Sequence, residues 1–263
     1  MLALISGRGS LPAQVARALP KPPLVCVLEG FAPTGLDADI TFRLEHLGTL
    51  LSDLGNRGVV EVCFCGGIER PALDPAALDT ATLPLVPIMM KAMGAGDDAA
   101  LRAVMALFED KGFRIRAAHE IAPDVLAPAG LLSRADVSDR MAADIQRADE
   151  VLDALGALDV GQGCVVGAGQ VWGIETIGGT DHMLGSLPEG VRQAAAVLVK
   201  VPKRNQDLRA DLPTIGPETI TAAAAAGLAG IVVNAGEVIL LEPEETRRRA
   251  DSSGLVLLSR ARD

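Results

Sequence analysis

Short, continuous apolar runs alternate with helix-like segments through the first half of the chain, and this alternation constrains the fold more than any other feature. Residues 2–5, 24–28 and 59–64 form three such runs. Strands that lack polar alternation are buried on both faces, as in parallel sheets covered by helices. We therefore predict an α/β protein that begins with a parallel-sheet domain, whose ligands bind beyond the carboxyl ends of the strands.

The pattern changes after residue 133. Residues 127–134 have the composition of a linker, and residues 134–153 carry many charges in a helical pattern. Short strands separated by glycines follow, and a hairpin is predicted through residues 167–169. The sequence thus predicts two domains, residues 1–133 and residues 134–263, of which the second is an α/β domain with a mixed sheet.

Composition argues against several classes of protein. The net charge is −10, which disfavours a protein that wraps a polyanion. Only 2% of the residues are aromatic, so a surface that reads nucleic acid by base stacking is not expected. No apolar stretch approaches the length of a transmembrane helix. The four cysteines lie mostly in apolar runs, so neither disulfide bonds nor a zinc site is expected. Free cysteines favour a location in the reducing cytoplasm.

Glycine-containing turns follow two of the predicted strands. Gly7, Gly9 and Ser10 come after the first strand, and Gly67 and Arg70 come after the third. The order strand, glycine turn, helix presents backbone N–H groups to a phosphate. The third glycine of a dinucleotide fingerprint is absent, so a plain βα turn is the alternative.

A loop rich in charged side chains follows the apolar run that ends at Lys200. Guanidinium and ammonium groups neutralise phosphate oxygens, and carboxylates hold a metal cation. The loop is therefore a candidate site for an anionic, metal-chelated ligand, with a solvated loop of surface ion pairs as the alternative. Its polar members are Lys203, Arg204, Gln206, Asp207, Arg209 and Asp211, and Gly216 opens the next helix.

Other acidic residues are candidates for holding a cation. Asp97 and Asp98 precede a predicted helix, where capping the helix is the alternative role. Glu175 and Asp181 lie on either side of a glycine-containing segment. Because the chain has only three histidines, a dinuclear site of the calcineurin type is not expected. Oxygen ligands favour Mg²⁺.

In their order along the chain, these motifs resemble the bacterial UDP-2,3-diacylglucosamine pyrophosphatases of the two-domain, metal-dependent type used in lipid A biosynthesis. This class is distinct from the calcineurin-like enzymes that catalyse the same reaction. No single motif is decisive, whereas the ordered set extends from end to end. The matching stretches are residues 7–12, Gly67, 70–71, 96–98, 101–102, 127–128, 158–162, 179–181, 198–200, 206–207, Arg209, 211–213 and 216–217.

The resemblance implies a Rossmann-like N-terminal domain and a catalytic C-terminal domain, with the substrate held between them. It also implies hydrolysis of the diphosphate of a lipid-linked UDP-sugar, assisted by Mg²⁺ or another divalent cation. The products would be UMP and 2,3-diacylglucosamine 1-phosphate (lipid X). The protein would be cytoplasmic and peripheral to the inner membrane, without a nucleic-acid partner, and a homodimer is left open. Taken with the charged residues described above, the predicted site residues are Lys200, Asp207 and Arg209 for catalysis, Glu175, Asp181 and Asp211 for the metal, and Gly7, Gly9, Ser10, Gly67, Arg70, Asp97, Asp98, Gly179, Thr180, Gln206 and Gly216 for the substrate.

One position departs from the family pattern. Family members often carry an acid in the helix after Gly216, where this chain has five consecutive alanines at 222–226. Helical spacing places Glu218, Thr221 and Ala225 on one face. We hypothesise that Ala225 replaces a catalytic aspartate and impairs the enzyme. A native alanine in an alanine-rich sequence is the alternative.

Two other classes of function remain as alternatives. A nucleotide-sugar-binding protein without catalysis would use the same glycine turns and the same charged loop, and would not need a metal. A Rossmann-type oxidoreductase would need a third glycine after Gly9 and an acid after the second strand. Glu29 is at about the right place for that acid, but the glycine spacing does not fit.

Overall fold

The computed structural model describes residues 1–69, 73–94, 97–204 and 206–261. The chain divides into two compact units. The first unit contains Met1–Pro123 and the short segment Asp207–Asp211, and the second contains Asp124–Gln206 and Leu212–Asp263. The segment 207–211 thus belongs to the first unit, although its neighbours in sequence on both sides belong to the second.

The first unit is built on a parallel sheet, and the predicted fold class is confirmed. Within the described residues this sheet has five strands in the order β3-β2-β1-β4-β5, and every pairing is parallel. The order reverses direction between β1 and β4, which is where ligands bind in open α/β sheets. Its strands are β1 Leu2–Ser6, β2 Leu24–Leu28, β3 Ile40–Phe42, β4 Glu61–Cys65 and β5 Arg114–Ile115, and its helices are α1 Leu11–Ala18, α2 Leu47–Asn56, α3 Val86–Met93, α4 Asp97–Glu109 and α5 Ala118–Ile121.

Helices cover this sheet with apolar side chains, as the continuous apolar runs predict. Leu50 and Leu54 of α2 and Met105 and Phe108 of α4 are buried in the same core as the strand residues. The Phe108 ring meets the Phe64 ring edge to face, with centroids 5.1 Å apart. Burial of aromatic and aliphatic side chains of this size is the main source of stability in such a core.

The turns after β1 and β4 touch each other through their backbones. The Arg8 N–H donates to the Gly67 carbonyl oxygen at 2.9 Å, and the Gly67 N–H donates to the Arg8 carbonyl oxygen at 2.9 Å. A Cβ atom at Gly7 would lie 2.5 Å from the Gly67 oxygen, and one at Gly66 would lie 2.5 Å from the Gly7 oxygen. Gly66 also has φ of +91°. Glycine is therefore required here for close approach of two chain segments.

The second unit contains a mixed sheet, again as predicted. Within the described residues its order is β6-β13-β11-β9-β7-β8. The β9-β11-β13 pairings are parallel, and the pairings of β6, β7 and β8 are antiparallel. The strands of the second unit are β6 Gly130–Leu131, β7 Gly163–Gly167, β8 Gln170–Ile174, β9 Val197–Lys200, β10 Thr214–Ile215, β11 Gly230–Asn234, β12 Ile239–Leu240 and β13 Val256–Arg260, and its helices are α6 Asp139–Gly156, α7 Gly179–Gly185, α8 Pro217–Ala226 and α9 Pro243–Ser253. β10 and β12 lie outside the mixed sheet and pair with each other in parallel.

The segment expected to be a linker is part of this second sheet. The Ala127 N–H donates to the Val238 carbonyl at 2.8 Å, and the Leu132 N–H donates to the Leu257 carbonyl at 2.7 Å. β6 pairs with β13 in the same segment. These backbone hydrogen bonds fix residues 127–132, so the second unit begins at Asp124 and not near residue 134.

In the part of the chain that the structure describes, none of the helices has both the length and the apolar character needed to cross a bilayer.

The contact between the two glycine turns can be tested by adding one methyl group. We expect Gly7→Ala to lower the free energy of unfolding by about 1–3 kcal/mol, because the new Cβ overlaps a backbone oxygen that cannot move freely. Gly67→Ala is the matched control, since a Cβ there meets nothing within 4 Å. Urea denaturation followed by circular dichroism measures both. Equal midpoints for the two variants would contradict the close-approach argument.

Candidate functional site

The predicted phosphate-binding turn in the first unit is partly occupied by its own backbone. Gly7 and Gly67 lie together at the carboxyl edge of the sheet, and the Gly7 N–H donates to the Cys65 carbonyl at 2.8 Å. Ser10 precedes α1, and its Oγ accepts a hydrogen bond from Gln14. Gly9 has φ of +98°, with open space where a Cβ would be. The structure brings these predicted residues to one edge, and Arg70 lies outside the described residues.

Arg8 joins three loops at this edge and was not among the predicted site residues. Its Nη1 donates to Glu69 Oε1 at 2.9 Å, and its Nη2 donates to the Gly30 carbonyl at 3.1 Å. The guanidinium lies 4.8 Å from the centre of the Phe31 ring. Glycines on both sides of Arg8 are a signal in the sequence, because they let the backbone turn and leave the long side chain at the strand ends.

Asp207 and Arg209 form an ion pair in the segment that joins the first unit. Arg209 Nη2 donates to Asp207 Oδ2 at 2.7 Å, and Arg209 Nη1 donates to Glu109 Oε1 on α4 at 2.6 Å. The hydrogen bond from Arg209 holds the pKa of Asp207 below its usual value. The hydrogen bonds to Asp207 and Glu109 raise the pKa of Arg209 above its usual value. Both predicted catalytic residues therefore stay charged, and they fix the segment to α4.

An apolar pocket of about 420 Å³ lies in the first unit beside this segment. Ile5 and Phe64 line it from the sheet, and Val104 lines it from α4. Asp211, a predicted metal ligand, lines the pocket, and the preceding Ala210 packs against the core of the same unit. The volume falls within the usual range for small-molecule sites.

In the second unit, Lys200 is held by Thr180 and Glu175. Lys200 Nζ donates to Thr180 Oγ1 at 2.6 Å, and Thr180 Oγ1 donates to Glu175 Oε2 at 2.7 Å. The ammonium and the carboxylate are 3.8 Å apart, and each side chain is only 11% exposed. β9 delivers Lys200, and α7 delivers Thr180. A buried cation held by two fixed partners is suited to receiving an anionic group.

The remaining predicted residues of the second unit are more dispersed. Asp181 is exposed on α7. Gly179 has φ of +76° at the start of that helix. Gln206 Oε1 accepts the Lys203 N–H at 2.9 Å, and Gly216 precedes α8, where its N–H donates to Thr219. In the first unit, Asp97 and Asp98 begin α4, but their side chains lie outside what the structure describes.

The predicted metal ligands do not form a preformed metal site. Among the described residues there is no group of three or more His, Cys, Asp or Glu side chains that could hold a metal ion. Glu175 already pairs with Lys200 and Thr180, and Asp211 belongs to the other unit. The binding of Mg²⁺ by Glu175, Asp181 and Asp211 therefore stays a prediction.

The helix that contains Ala225 presents its polar face to a neighbouring helix. Arg249 Nη1, on α9, donates to Glu218 Oε1 at 2.9 Å and to Thr221 Oγ1 at 2.8 Å. Ala223 on α8 is buried in the core of the unit, whereas Ala225 is exposed. The face that carries Glu218, Thr221 and Ala225 thus contacts α9 and solvent.

The Asp207–Arg209 pair predicts a specific dependence of stability on pH. Because the folded pKa of Asp207 lies below the ordinary value of 3.8, its contribution is present above that pH and is lost as the pH falls through the folded pKa. We expect Asp207→Asn to be less stable than the parent at pH 6, and the difference to shrink below about pH 4. Urea midpoints across this range measure it. Asp37→Asn, at an exposed position, is the control, and a constant difference for Asp207→Asn would rule out the linkage.

Comparison with known families matches both halves of the chain. Residues 1–125 match the LpxI N-terminal domain, and residues 128–258 match the LpxI C-terminal domain. The chain is 39% identical over 271 residues to the UDP-2,3-diacylglucosamine pyrophosphatase LpxI of Caulobacter vibrioides. The aligned region covers 98% of this chain and 96% of that protein. Because these matches span both units, the chain belongs to the LpxI family.

Proposed function

We propose that this protein hydrolyses the diphosphate of UDP-2,3-diacylglucosamine to UMP and 2,3-diacylglucosamine 1-phosphate, a step in lipid A biosynthesis. The observation that carries the proposal is the similarity to the Caulobacter pyrophosphatase over nearly the full length of both chains. The buried Lys200 supports it, because diphosphate hydrolysis needs positive charge at the non-bridging oxygens.

Lys200 is suited to bind a phosphate oxygen of the substrate. Its ammonium is fixed by Thr180 and Glu175, so little rearrangement is needed when a negatively charged oxygen approaches. A cation that is fixed in a buried site stabilises the negative charge of the transition state more strongly than the same cation does in water. Asp207 and Arg209 are proposed to act in the same reaction, and their ion pair keeps both groups charged.

A divalent cation is part of the proposal, although the described side chains do not form a cage for it. Mg²⁺ keeps several of its waters and binds through one or two carboxylates together with substrate phosphates. A bound Mg²⁺ would neutralise the negative charge of the diphosphate and polarise it. Asp181, which is exposed on α7, is the proposed carboxylate, because Glu175 is already paired with Lys200. Chelation with EDTA is expected to stop UMP release, and undiminished release after chelation would contradict the metal requirement.

Removing the charge of Lys200 tests the catalytic proposal. Lys200→Met alone would leave the Glu175 carboxylate buried without its cation, so the preferred variant is Lys200→Met/Glu175→Gln. We expect kcat/KM for UMP release to fall by about 10²–10³-fold. Lys21→Met, at an exposed position, is the control and should keep the parent rate.

The two outcomes of that assay separate the main proposal from its alternative. Parent protein that binds the nucleotide sugar but releases no UMP in the presence of Mg²⁺ would favour a non-catalytic nucleotide-sugar-binding protein. Parent protein that turns over, with a double variant that is folded and fully active, would remove Lys200 from the mechanism.

The hypothesis that Ala225 marks an impaired enzyme has its own test. Because Ala225 is exposed and its helical face contacts Arg249, we expect Ala225→Asp to change the rate of UMP release by less than about twofold. The rate is measured with saturating Mg²⁺, beside Ala222→Asp as a second substitution on the same helix. A rise of tenfold or more that is confined to Ala225→Asp would instead support a missing catalytic aspartate.

We also propose that the protein works at the cytoplasmic surface of the inner membrane, since a diacylated substrate and product partition into lipid. Fractionation of lysed cells tests this placement, and recovery solely in the fraction without membranes would contradict it.

A further inference from the structure

We propose that the apolar pocket of the first unit binds an acyl chain of the lipid-linked substrate. This inference rests on the proposed function, and it assigns the recognition of the hydrocarbon to the parallel-sheet unit. The pocket has a volume of about 420 Å³.

The position of the pocket is that of a ligand site and not of a packing defect. Its walls include Ile5 of β1 and Phe64 of β4, the two strands between which the strand order reverses. Met89 of α3 and Val104 of α4 close it from the helical layer. A pocket at the switch point of an open parallel sheet is where such folds hold their ligands.

The pocket opens to solvent through an apolar rim. Ile68 lines it and is 42% exposed, so ligand can enter at this point. α3 supplies a wall through Met89 and Ala92, and its Ile88 and Met90 are exposed on the outside. Large apolar side chains exposed beside an apolar pocket are typical of a site that takes up a hydrophobic ligand.

The charges at the pocket identify the part of the ligand that enters it. Of the described residues that line it, Glu69 and Asp211 are acidic and none is basic. The described lining therefore offers no cation to bind a phosphate or a free fatty-acid carboxylate, whereas a hydrocarbon attached through a neutral ester or amide needs none. Asp211 follows Asp207 and Arg209 in one short segment, so the acyl pocket adjoins residues proposed for the diphosphate.

A pair of Ala→Phe substitutions on α4 tests the inference. Ala100 lines the pocket, whereas Ala106 is exposed on the same helix and does not. Each is assayed with UDP-2,3-diacylglucosamine carrying tetradecanoyl chains and carrying butanoyl chains. Burial of each methylene contributes about fourfold to kcat/KM, so burying about four of the additional methylenes is enough for the parent to prefer the long chains by a factor on the order of 100 or more. We expect Ala100→Phe to reduce this preference at least tenfold and Ala106→Phe to leave it unchanged.

Binding of a neutral probe separates this inference from the proposed function. A fluorescent long-chain alkyl amide, without sugar or phosphate, should bind the parent and Ala106→Phe and bind Ala100→Phe at least tenfold more weakly. This result is expected even if no UMP is released, which would refute the hydrolysis and not the pocket. Equal probe affinity in all three proteins, or an unchanged chain-length preference in Ala100→Phe, would overturn the inference.

Discussion

The backbone pairing of Arg8 with Gly67 is the contact on which the geometry of the first unit depends. It joins the turns after β1 and β4 at the point where the strand order reverses. Because these turns meet without side chains between them, Arg8 is directed across the strand ends, and the space beyond Gly66 and Ile68 becomes one side of the apolar pocket. The glycines that were predicted to bind a phosphate therefore also allow the two turns to pack closely against each other.

Local patterns were sufficient for most of the architecture. The apolar run at 24–28 coincides with β2, and the runs at 2–5 and 59–64 overlap β1 and β4. Glycine-separated runs after residue 156 correctly predicted the hairpin of β7 and β8. Such segments can be predicted because a strand buried on both faces has a continuous run of apolar residues, and a helix buried on one side has apolar residues at helical spacing. The three-residue strand β3 was missed, since it is defined mainly by pairing with β2.

The candidate site was less accessible to sequence reasoning because it depends on contacts distant along the chain. Lys200 was a prediction from its place at the end of a buried run, but its partners Thr180 and Glu175 became visible only when α7 was placed beside β9. The ion pair of Arg209 with Glu109 joins residues separated by about a hundred positions, and no local pattern reports it. The sequence shows which residues of a loop are charged, whereas the tertiary structure determines which partners they contact.

The segment Asp207–Asp211 has a consequence for the order in which the protein is made. The first unit contains the N-terminal 123 residues, yet Ala210 also packs against its core. On the ribosome, N-terminal domains generally fold before the rest of the chain emerges. Here the parallel-sheet unit cannot be completed until most of the second unit has been synthesised. The early intermediate would expose the apolar surface that Ala210 covers, which makes the two units interdependent in biogenesis although each has a core of its own.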